Sequence, residues 1–266
     1  MLEVGVIGCA GRMGRAVLRE LLRSPDLALA GGIERPGHPA IGQDLGVLAG
    51  EGAIGRLATD DLPGLLARAR VAIEFSTPAA SLAHAEACAA AGVAAVIGTT
   101  GLDSAQEAGL ARAASAVPIV HAANMSLGVN LLLALTEQVA RALDAEFDIE
   151  ILEMHHRHKV DAPSGTALAL GRAAAAGRAV ALEEAAVRVR DGLTGPRPRG
   201  AIGFATLRGG DVVGDHSVVF AGEGERIVLQ HLAADRAIYA RGAVRAARWL
   251  AGRPPGLYGM RDVLGL

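Results

Sequence analysis

The stretch "VIGCAGRMGRA" (residues 6–16) places Gly8, Gly11 and Gly14 at three-residue spacing. An apolar run precedes the first glycine, and apolar residues at helical spacing follow the last one. Glycines at a strand-to-helix junction permit a tight turn, and the first N–H groups of the helix favour a pyrophosphate. The stretch therefore predicts a dinucleotide-binding loop, although its form G-x-x-G-x-x-G departs from the usual G-x-G-x-x-G at Ala10.

A charged pair follows the second predicted strand, "LALAGGIE" (27–34). In a dinucleotide fold, the carboxylate at the end of this strand accepts hydrogen bonds from the adenosine ribose hydroxyls, and Glu34 has that position. Arg35 comes next and could meet a 2′-phosphate instead. The pair therefore predicts that NADH or NADPH is the cofactor. A glycine-rich turn beside a solvated Glu-Arg pair is the alternative.

The rest of the first half continues to alternate strands with helices. Three further apolar runs are expected to be strands: 71–76, 93–98 and 117–122. Helical patterns follow them from about 78, near 103–115 and near 127–143, whereas the Gly- and Pro-rich segment 36–56 is expected to be a long loop. Strands that alternate with helices of this length predict an α/β fold with a parallel, doubly wound sheet.

Two loops at strand ends carry polar residues, "GTTG" (98–101) and "AANMS" (122–126). Ligands of open α/β sheets bind outside the carboxyl ends of the strands, so these loops are expected to line the nicotinamide side of the crevice. Ordinary turn chemistry, with Ser126 as a helix cap, remains an equal alternative.

The pattern changes after about residue 145. "FDIEILEM" (147–154) is expected to be a strand and 164–177 a helix, and three strands with Gly-rich turns follow, the last two joined by a hairpin at "AGEGE". This order predicts a second, α+β domain on an open mixed sheet. The final amphipathic helix, about 235–251, is expected to return to the first domain.

Composition and charge exclude several classes of protein. The net charge is -2, and the chain has only four phenylalanines, two tyrosines and one tryptophan, so it lacks the basic stripe and stacking residues of a nucleic-acid-binding protein. No stretch is long and apolar enough to predict a membrane span or a signal peptide. Two distant cysteines, Cys9 and Cys88, fit a reducing compartment. We therefore expect a cytoplasmic protein without nucleic-acid or membrane partners.

Residues 155–159 ("HHRHK") gather five basic or protonatable side chains in a slightly acidic chain. With 149–159 taken as a strand that runs into a loop, alternation places His155, Arg157 and Lys159 on one side and His156 and His158 on the other. A metal site would use the second pair, but the neighbouring cations would repel a metal ion, and no Cys or carboxylate set has ligand spacing. We therefore expect no metal.

An anion pocket explains the cluster better. Histidine changes its charge near neutral pH, and a lysine can hold a carboxylate or assist a proton donor. The next segment, "APSGTALAL" (162–170), opens a helix whose positive end presents backbone N–H groups and a hydroxyl at Gly165 and Thr166. The lysine and the helix start together predict a ligand with two negative groups. A solvated surface cluster with a routine cap is the alternative.

Seven motifs together resemble one family. They are "GCAGRMG", "IER", "IGTTG", "AANMS", "EMHHRHKVDAPSGTAL", "GAIGFATLRGGDVVGDHSVVFAGEGE" and "GAVRAARWL". From end to end the chain resembles the bacterial dihydrodipicolinate reductases, which act in the diaminopimelate route to lysine. The histidine motif is the most specific part of this resemblance.

The resemblance implies a fold, a reaction and an assembly. Residues 1–126, completed by 236–266, would form a Rossmann-type dinucleotide-binding domain, and 127–235 would bind substrate and form a homotetramer. NADH or NADPH would deliver hydride to C4 of the ring of 4-hydroxy-tetrahydrodipicolinate, a small dicarboxylate, after its 4-hydroxyl leaves as water. The product would be tetrahydrodipicolinate.

The resemblance also implies roles for individual residues. His155 matches the catalytic proton donor and Lys159 its partner donor, His156 matches a substrate contact, and Gly165 and Thr166 match the residues that seat a substrate carboxylate. The residues that match cofactor contacts are Gly8, Cys9, Ala10, Gly11, Arg12, Met13, Glu34, Arg35, Gly98, Thr99, Thr100, Ala122, Ala123, Asn124 and Met125. The last of these stands where some members carry an aromatic residue, and its thioether fills similar space.

Two other functions remain open from the residues alone. A different NAD(P)-dependent dehydrogenase of a small anion would share the scaffold, but it gives no reason for paired histidines followed by K-x-x-x-P-S-G-T. A non-catalytic nucleotide-sensing module would be expected to lose the proton donor or the carboxylate seat. The sequence keeps both.

Overall fold

The computed structural model describes residues 1–266 and divides them into two compact units. Unit 1 comprises Met1–Leu127 and Ala237–Leu266, and unit 2 comprises Gly128–Arg236. No helix is both long enough and apolar enough to cross a membrane.

Strands and helices alternate through the first part of unit 1. The elements in chain order are β1 (Leu2–Ile7), α1 (Arg12–Leu22), β2 (Leu27–Ile33), α2 (Leu45–Ala49), α3 (Leu62–Leu66), β3 (Val71–Glu74), α4 (Pro78–Ala90), β4 (Ala94–Ile97), α5 (Ser104–Ala113) and β5 (Pro118–His121). Pro78 occupies the first turn of α4, where its fixed φ suits the helix and its missing N–H costs nothing.

A mixed five-stranded sheet dominates unit 2. The elements here are α6 (Leu127–Ala142), β6 (Asp148–His155), α7 (Gly165–Gly177), α8 (Leu182–Ala185), β7 (Ala186–Val187), β8 (Ile202–Arg208), β9 (Gly214–Gly222) and β10 (Glu225–Ala233). The strand order is β10-β9-β6-β8-β7, and β6 pairs parallel with β8 but antiparallel with β9. The predicted hairpin is confirmed, since Gly222 pairs with Glu225 across the turn between β9 and β10.

The chain then completes unit 1 with α9 (Ala237–Leu250), β11 (Gly256–Tyr258) and α10 (Met260–Leu264). The sheet order is β11-β5-β4-β3-β1-β2 and every pair is parallel. The predicted doubly wound sheet is therefore confirmed. Because β2 and β3 lie on opposite sides of β1, the carboxyl end of β1 opens onto the topological switch point, where ligands of such sheets bind.

Each unit has its own apolar core. In unit 1, α1 and α9 cover one face of the sheet, and α3, α4 and α5 cover the other. In unit 2, α6 and α7 pack on one face of the mixed sheet, around Ile151, Phe204 and Phe220. The opposite face of that sheet carries exposed apolar side chains, and Leu152, on β6, is 38% exposed. Alternation along the strands explains this division, since neighbouring residues point to opposite faces.

The structure corrects three sequence-based predictions. Segment 36–56 is not a continuous loop, because Asp44 caps the short helix α2 by accepting a hydrogen bond from the Gly46 N–H (2.8 Å). Strand β6 ends at His155, and the Lys159 N–H donates to the His156 carbonyl (3.1 Å) in a turn, so the predicted alternation through residue 159 was wrong. The periodicity also missed α3, α8, α10, β7 and β11, which are too short to show a pattern.

The packing of α9 gives a test of the unit 1 core. A Cβ at Gly242 would lie 1.7 Å from the Met125 carbonyl oxygen, so Gly242→Ala would push α9 from its place. We expect the free energy of unfolding to fall by about 2 kcal/mol, although alanine favours a helix by about 1 kcal/mol over glycine. Urea denaturation measures this change. Arg245→Ala, at an exposed position of α9, is the control and should change stability by less than about 0.5 kcal/mol.

Candidate active site

The glycine loop after β1 is shaped by close backbone contacts. Gly8 has φ +80°, and a Cβ there would lie 2.2 Å from the Phe75 carbonyl oxygen. A Cβ at Gly14 would lie 2.0 Å from the Gly8 carbonyl oxygen, so only glycine lets α1 start this close to the strand end. Gly11 is the N-cap of α1 and supplies no side-chain capping bond. The positive end of this helix therefore faces the switch point, as a pyrophosphate site requires.

Glu34 lies against the same loop. Its Oε1 accepts a hydrogen bond from the Ala10 N–H (2.8 Å), and its Oε2 accepts one from the Arg35 N–H (3.3 Å). The Arg35 side chain is exposed beside it. Cys9 is fully buried, and burial, with the nearby Glu34 charge, raises the pKa of its thiol to about 12. A ligand in this loop would therefore meet the backbone of Cys9, and the loop with its carboxylate fits a dinucleotide.

A buried carboxyl group joins the loops that follow β3 and β4. Glu74, at the end of β3, is fully buried, and its Oε2 accepts hydrogen bonds from the hydroxyls of Thr99 (2.8 Å) and Ser81 (3.1 Å). The Thr99 hydroxyl also accepts the Ser76 N–H (2.9 Å). His84 Nδ1 lies 3.4 Å from Glu74 Oε1. Because the Thr99 hydroxyl is hydrogen-bonded to both Glu74 and Ser76, it holds the loop in position. A ligand would therefore contact the backbone of this loop.

The remaining predicted cofactor contacts also lie at strand ends of unit 1. A Cβ at Gly98 would lie 2.1 Å from the Phe75 ring, whereas Thr100 is exposed. After β5, Asn124 Oδ1 accepts the Ser126 N–H (2.9 Å), which makes a tight turn, and the Met125 side chain is buried. The structure thus brings the predicted cofactor residues together at one edge of the sheet.

The end of β6 carries a buried histidine and a buried glutamate on one face of the unit 2 sheet. His155 Nδ1 lies 2.5 Å from Glu153 Oε2, and Glu153 is only 1% exposed. Arg208, on the neighbouring strand β8, donates to both carboxylate oxygens (2.8 and 2.9 Å). Burial acts to raise the pKa of Glu153, but the hydrogen bonds from Arg208, His155 and the Ser164 backbone outweigh it and lower the pKa. The Thr206 hydroxyl also lies 3.4 Å from Oε1, so the glutamate is a carboxylate that accepts from four partners.

A second buried histidine lies beside this pair. The His216 ring packs edge-on against His155, with the centroids 5.1 Å apart, and its Nε2 lies 2.9 Å from the Ser164 hydroxyl. Burial, and then the charge of His155, lower the pKa of His216 to about 4. A Cβ at Gly214 would lie 2.9 Å from His155 Nε2, so glycine leaves room beside that nitrogen. His155 Nε2 is thus the ring atom that a small molecule could reach.

The predicted anion contacts surround this pair in unit 2. Lys159 Nζ donates to both oxygens of Asp161 (2.7 and 2.9 Å), and this bond lowers the pKa of Asp161. His156 Nε2 lies 3.5 Å from Arg236 Nη2, and its buried Nδ1 has no hydrogen-bond partner. Burial, and then the Arg236 charge, lower the pKa of His156. The lowered pKa favours the neutral form of the His156 imidazole.

Helix α7 begins at the two residues that are predicted to seat a carboxylate, Gly165 and Thr166. Ser164 is its N-cap, and the Ser164 hydroxyl accepts the Ala167 N–H (3.1 Å). A Cβ at Gly165 would meet no atom within 4 Å, so there is open space at the first residue of the helix. The arrangement gives an anion access to the positive end of a helix of 13 residues.

Sequence reasoning missed three residues of the site: Glu153, Arg208 and His216. The first was detectable, because positions 153 and 155 of a strand share one face. The other two come from β8 and β9, so their approach depends on a strand pairing that no local pattern specifies. The structure contains no group of three or more His, Cys, Asp or Glu side chains that could hold a metal ion.

Known proteins resemble the chain along its whole length. Two family models match, "Dihydrodipicolinate reductase, N-terminus" over residues 2–125 and "Dihydrodipicolinate reductase, C-terminus" over residues 128–264. The chain is 57% identical to the 4-hydroxy-tetrahydrodipicolinate reductase of Dinoroseobacter shibae, over 98% of this chain and 97% of that protein. It is also 57% identical to the protein of that name from Parvibaculum lavamentivorans, over 100% of this chain and 98% of that protein.

Solved structures share the fold. A dipicolinate-bound dihydrodipicolinate reductase from Paenisporosarcina sp. TG-14 superposes with a TM-score of 0.79 at 24% identity, and the match covers 98% of this chain and 99% of that one. An amine dehydrogenase from Mycobacterium smegmatis gives a TM-score of 0.60 at 15% identity, covering 96% of this chain and 94% of that one.

The glycine loop, the switch point and these matches together define an NAD(P)H-dependent oxidoreductase with a Rossmann-type fold. The chain belongs to the dihydrodipicolinate reductase family. The resemblance seen in the sequence is therefore confirmed, as are the predicted class of enzyme and its nicotinamide cofactor.

The low pKa of His216 predicts a pH-dependent stability. Its folded-state pKa of about 4 lies below the ordinary 6.5, so the unfolded chain binds more protons between these pH values. The stability that depends on a neutral His216 is therefore present above pH 6.5 and is lost as the pH falls towards 4. Acidification from pH 7 to pH 4 should lower the free energy of unfolding by about 3 kcal/mol through this group.

Denaturant unfolding at pH 7 and pH 4 checks this expectation. Between the two pH values, the free energy of unfolding of His216→Asn should fall by about 3 kcal/mol less than that of the wild type. His158→Asn, at an exposed position, is the matched control and should keep the wild-type difference. An equal loss in wild type and His216→Asn would mean that His216 is not held neutral by burial.

Proposed function

We propose that the chain catalyses the NAD(P)H-dependent reduction of 4-hydroxy-tetrahydrodipicolinate to tetrahydrodipicolinate, with loss of water, in the diaminopimelate pathway of lysine biosynthesis. The observation that carries this proposal is the buried His155–Glu153 pair beside the open start of α7. The names of the relatives support the reaction. The neighbour described as dipicolinate-bound supports a small dicarboxylate as the substrate class.

The proposed cofactor domain is formed by residues 1–126 and completed by 236–266, so its bounds differ from those of unit 1 by one residue at each junction. Its glycine loop, together with the loops at 98–100 and 122–125, would hold the dinucleotide. Glu34 would accept hydrogen bonds from the ribose hydroxyls, and the exposed Arg35 would contact the 2′-phosphate of NADPH. When bound, the reduced nicotinamide supplies a hydride to C4 of the substrate ring.

Residues 127–235 form the proposed substrate domain. Gly165 and Thr166 would seat one substrate carboxylate at the positive end of α7. The His156 ring and the ammonium of Lys159 would contact the anion as well, and Lys159 would exchange its present partner Asp161 for the substrate. Two such contacts would hold the substrate ring in one orientation relative to the cofactor, and reactants that are bound in the correct orientation react faster than reactants that meet at random.

His155 is the proposed proton donor. Reduction of the conjugated imine leaves an electron-rich enamine, and one of its carbons must take up a proton. His155 Nδ1 is bound to Glu153, and Gly214 leaves space beside Nε2, so the proton would leave from Nε2. The Nε2–H bond breaks as the new C–H bond forms, and the imidazolium becomes a neutral imidazole. Lys159 would assist as the partner donor.

The open face of the unit 2 sheet supports the proposed homotetramer. Leu152, Leu207, Val228 and Leu232 lie on this face and are between 38% and 62% exposed. A sheet face with several exposed apolar side chains is the kind of surface that packs against another subunit, and this supports the proposed assembly. We also place the protein in the cytoplasm, since its two cysteines are free and buried.

The reductase activity is tested by the loss of nicotinamide absorbance on substrate generated by the preceding synthase. We expect the wild type to consume NADH or NADPH and His155→Ala to lower kcat by ~10²–10⁴-fold, the usual contribution of a general acid. His158→Asn, in the same loop but exposed, should keep the wild-type kcat. A wild type that binds NADH but consumes none would refute the reductase function and favour a nucleotide-sensing module.

The assembly is tested by light scattering of the purified chain. We expect four times the mass of one chain for the wild type, and a smaller mass for Leu207→Glu, because a buried unpaired charge at an interface is strongly unfavourable. Val47→Glu, at an exposed apolar position of α2 in unit 1, is the control and should keep the wild-type mass. A wild type with the mass of a single chain would exclude the tetramer.

A further inference from the structure

Glu153 touches both parts of the proposed substrate site. Its Oε2 lies 2.5 Å from His155 Nδ1, and its Oε1 accepts the Ser164 N–H (3.0 Å) at the start of α7. The proposed proton donor lies on strand β6, whereas the proposed carboxylate seat lies at the start of helix α7. Glu153 and Ser164 are eleven residues apart in the chain. One buried carboxylate therefore holds both, and no other side chain is bonded to the two of them in the structure.

The partners of Glu153 fix its role as an acceptor. Arg208 donates to both carboxylate oxygens, and its Nη2 also donates to the Asp161 carbonyl (2.7 Å). A carboxylate that is paired in this way can only accept hydrogen bonds. The proton between Glu153 and His155 must then lie on Nδ1 when the ring is neutral, so the nitrogen that gains and loses a proton is Nε2.

We propose that Glu153 is a positioning residue that stabilises the His155 imidazolium, fixes proton delivery to Nε2, and ties the carboxylate seat to the proton donor through Ser164. The inference rests on the proposed function of His155 as the proton donor. The other charged or titratable groups near this pair are Arg208 on β8, His216 on β9, and His156 and Lys159 in the loop after β6. Only Glu153 among them bonds to Nδ1 of His155.

Kinetics of Glu153→Gln alone and in the His155→Asn background separate this role from a merely structural one. If Glu153 acts through His155, Glu153→Gln lowers kcat by ~10²-fold or more in the wild type but has no further effect on kcat when His155 is absent. Through Ser164 it should still raise KM by ~2–10-fold in both backgrounds, the contribution of one hydrogen bond. Equal losses of kcat in both backgrounds would overturn the proposal.

Glu150→Gln is the matched control. Glu150 is on the same strand and pairs with Arg190 (2.7 and 2.8 Å) and Arg197 (2.9 Å), but its side chain points to the opposite sheet face. It should keep the wild-type kcat and KM. Glu153→Asp is the second variant, for the case that Glu153→Gln does not fold. Glu153→Asp retains the negative charge opposite Arg208, but its side chain is one methylene shorter and cannot reach both His155 and Ser164. This variant should therefore also lower kcat.

A spectroscopic test does not depend on turnover. In the wild type with ¹⁵N-labelled histidine, long-range ¹H–¹⁵N spectra report which ring nitrogen carries the proton, and His155→Asn assigns the signals. We expect the neutral ring of His155 to carry its proton on Nδ1, with Nε2 unprotonated. A neutral ring that carries the proton on Nε2 instead overturns the proposal. An inactive wild type with the expected spectrum would refute the proposed reaction but leave the Glu153–His155 arrangement standing.

Discussion

The ion pair between Glu153 and Arg208 is the interaction on which unit 2 depends. A carboxylate that is 1% exposed costs several kcal/mol unless it is paired and fully hydrogen-bonded, and the bidentate arginine meets that requirement. The pair exists only in the observed parallel register, in which His155 lies opposite Arg208. A slip of one residue between β6 and β8 would turn the guanidinium to the other face and leave the carboxylate unpaired. The chemistry of the site and the register of its sheet are therefore set by the same contact.

Unit 1 places a buried carboxyl group at a similar position but surrounds it differently. Glu74 is also near a strand end, yet its donors are the hydroxyls of Ser76, Ser81 and Thr99, with His84 at 3.4 Å, and no arginine is hydrogen-bonded to it. Hydroxyls bind the loops together without adding positive charge near the switch point. The attraction for a phosphate then comes from the start of α1, where the glycines allow close approach. A buried glutamate therefore has a different role in each unit. In unit 1, Glu74 holds loops together, and in unit 2, Glu153 orients the proposed proton donor.

Much of the fold was predictable because local periodicity decides it. The alternation of strands and helices in unit 1, the mixed sheet and the hairpin at Gly222 all follow from spacing and turn residues. The alternation predicted for the cluster at residues 155–159 was wrong, because the chain turns immediately after His155. Arg208 and His216 join the site through strand pairing across more than fifty residues, which is a tertiary property. Short elements such as α3 were missed because five residues do not establish a period.

The two cysteines have a practical consequence. Cys9 packs under the glycine loop and Cys88 lies within α4, and burial raises the pKa of each thiol to about 12. Since the thiolate is the nucleophile, we expect neither side chain to react readily with maleimides or iodoacetamide while the chain is folded. The native chain therefore needs no cysteine removal before site-specific labelling. A single cysteine introduced on the surface of each unit would carry a fluorophore alone, and energy transfer between two such labels would report the distance between the units in solution.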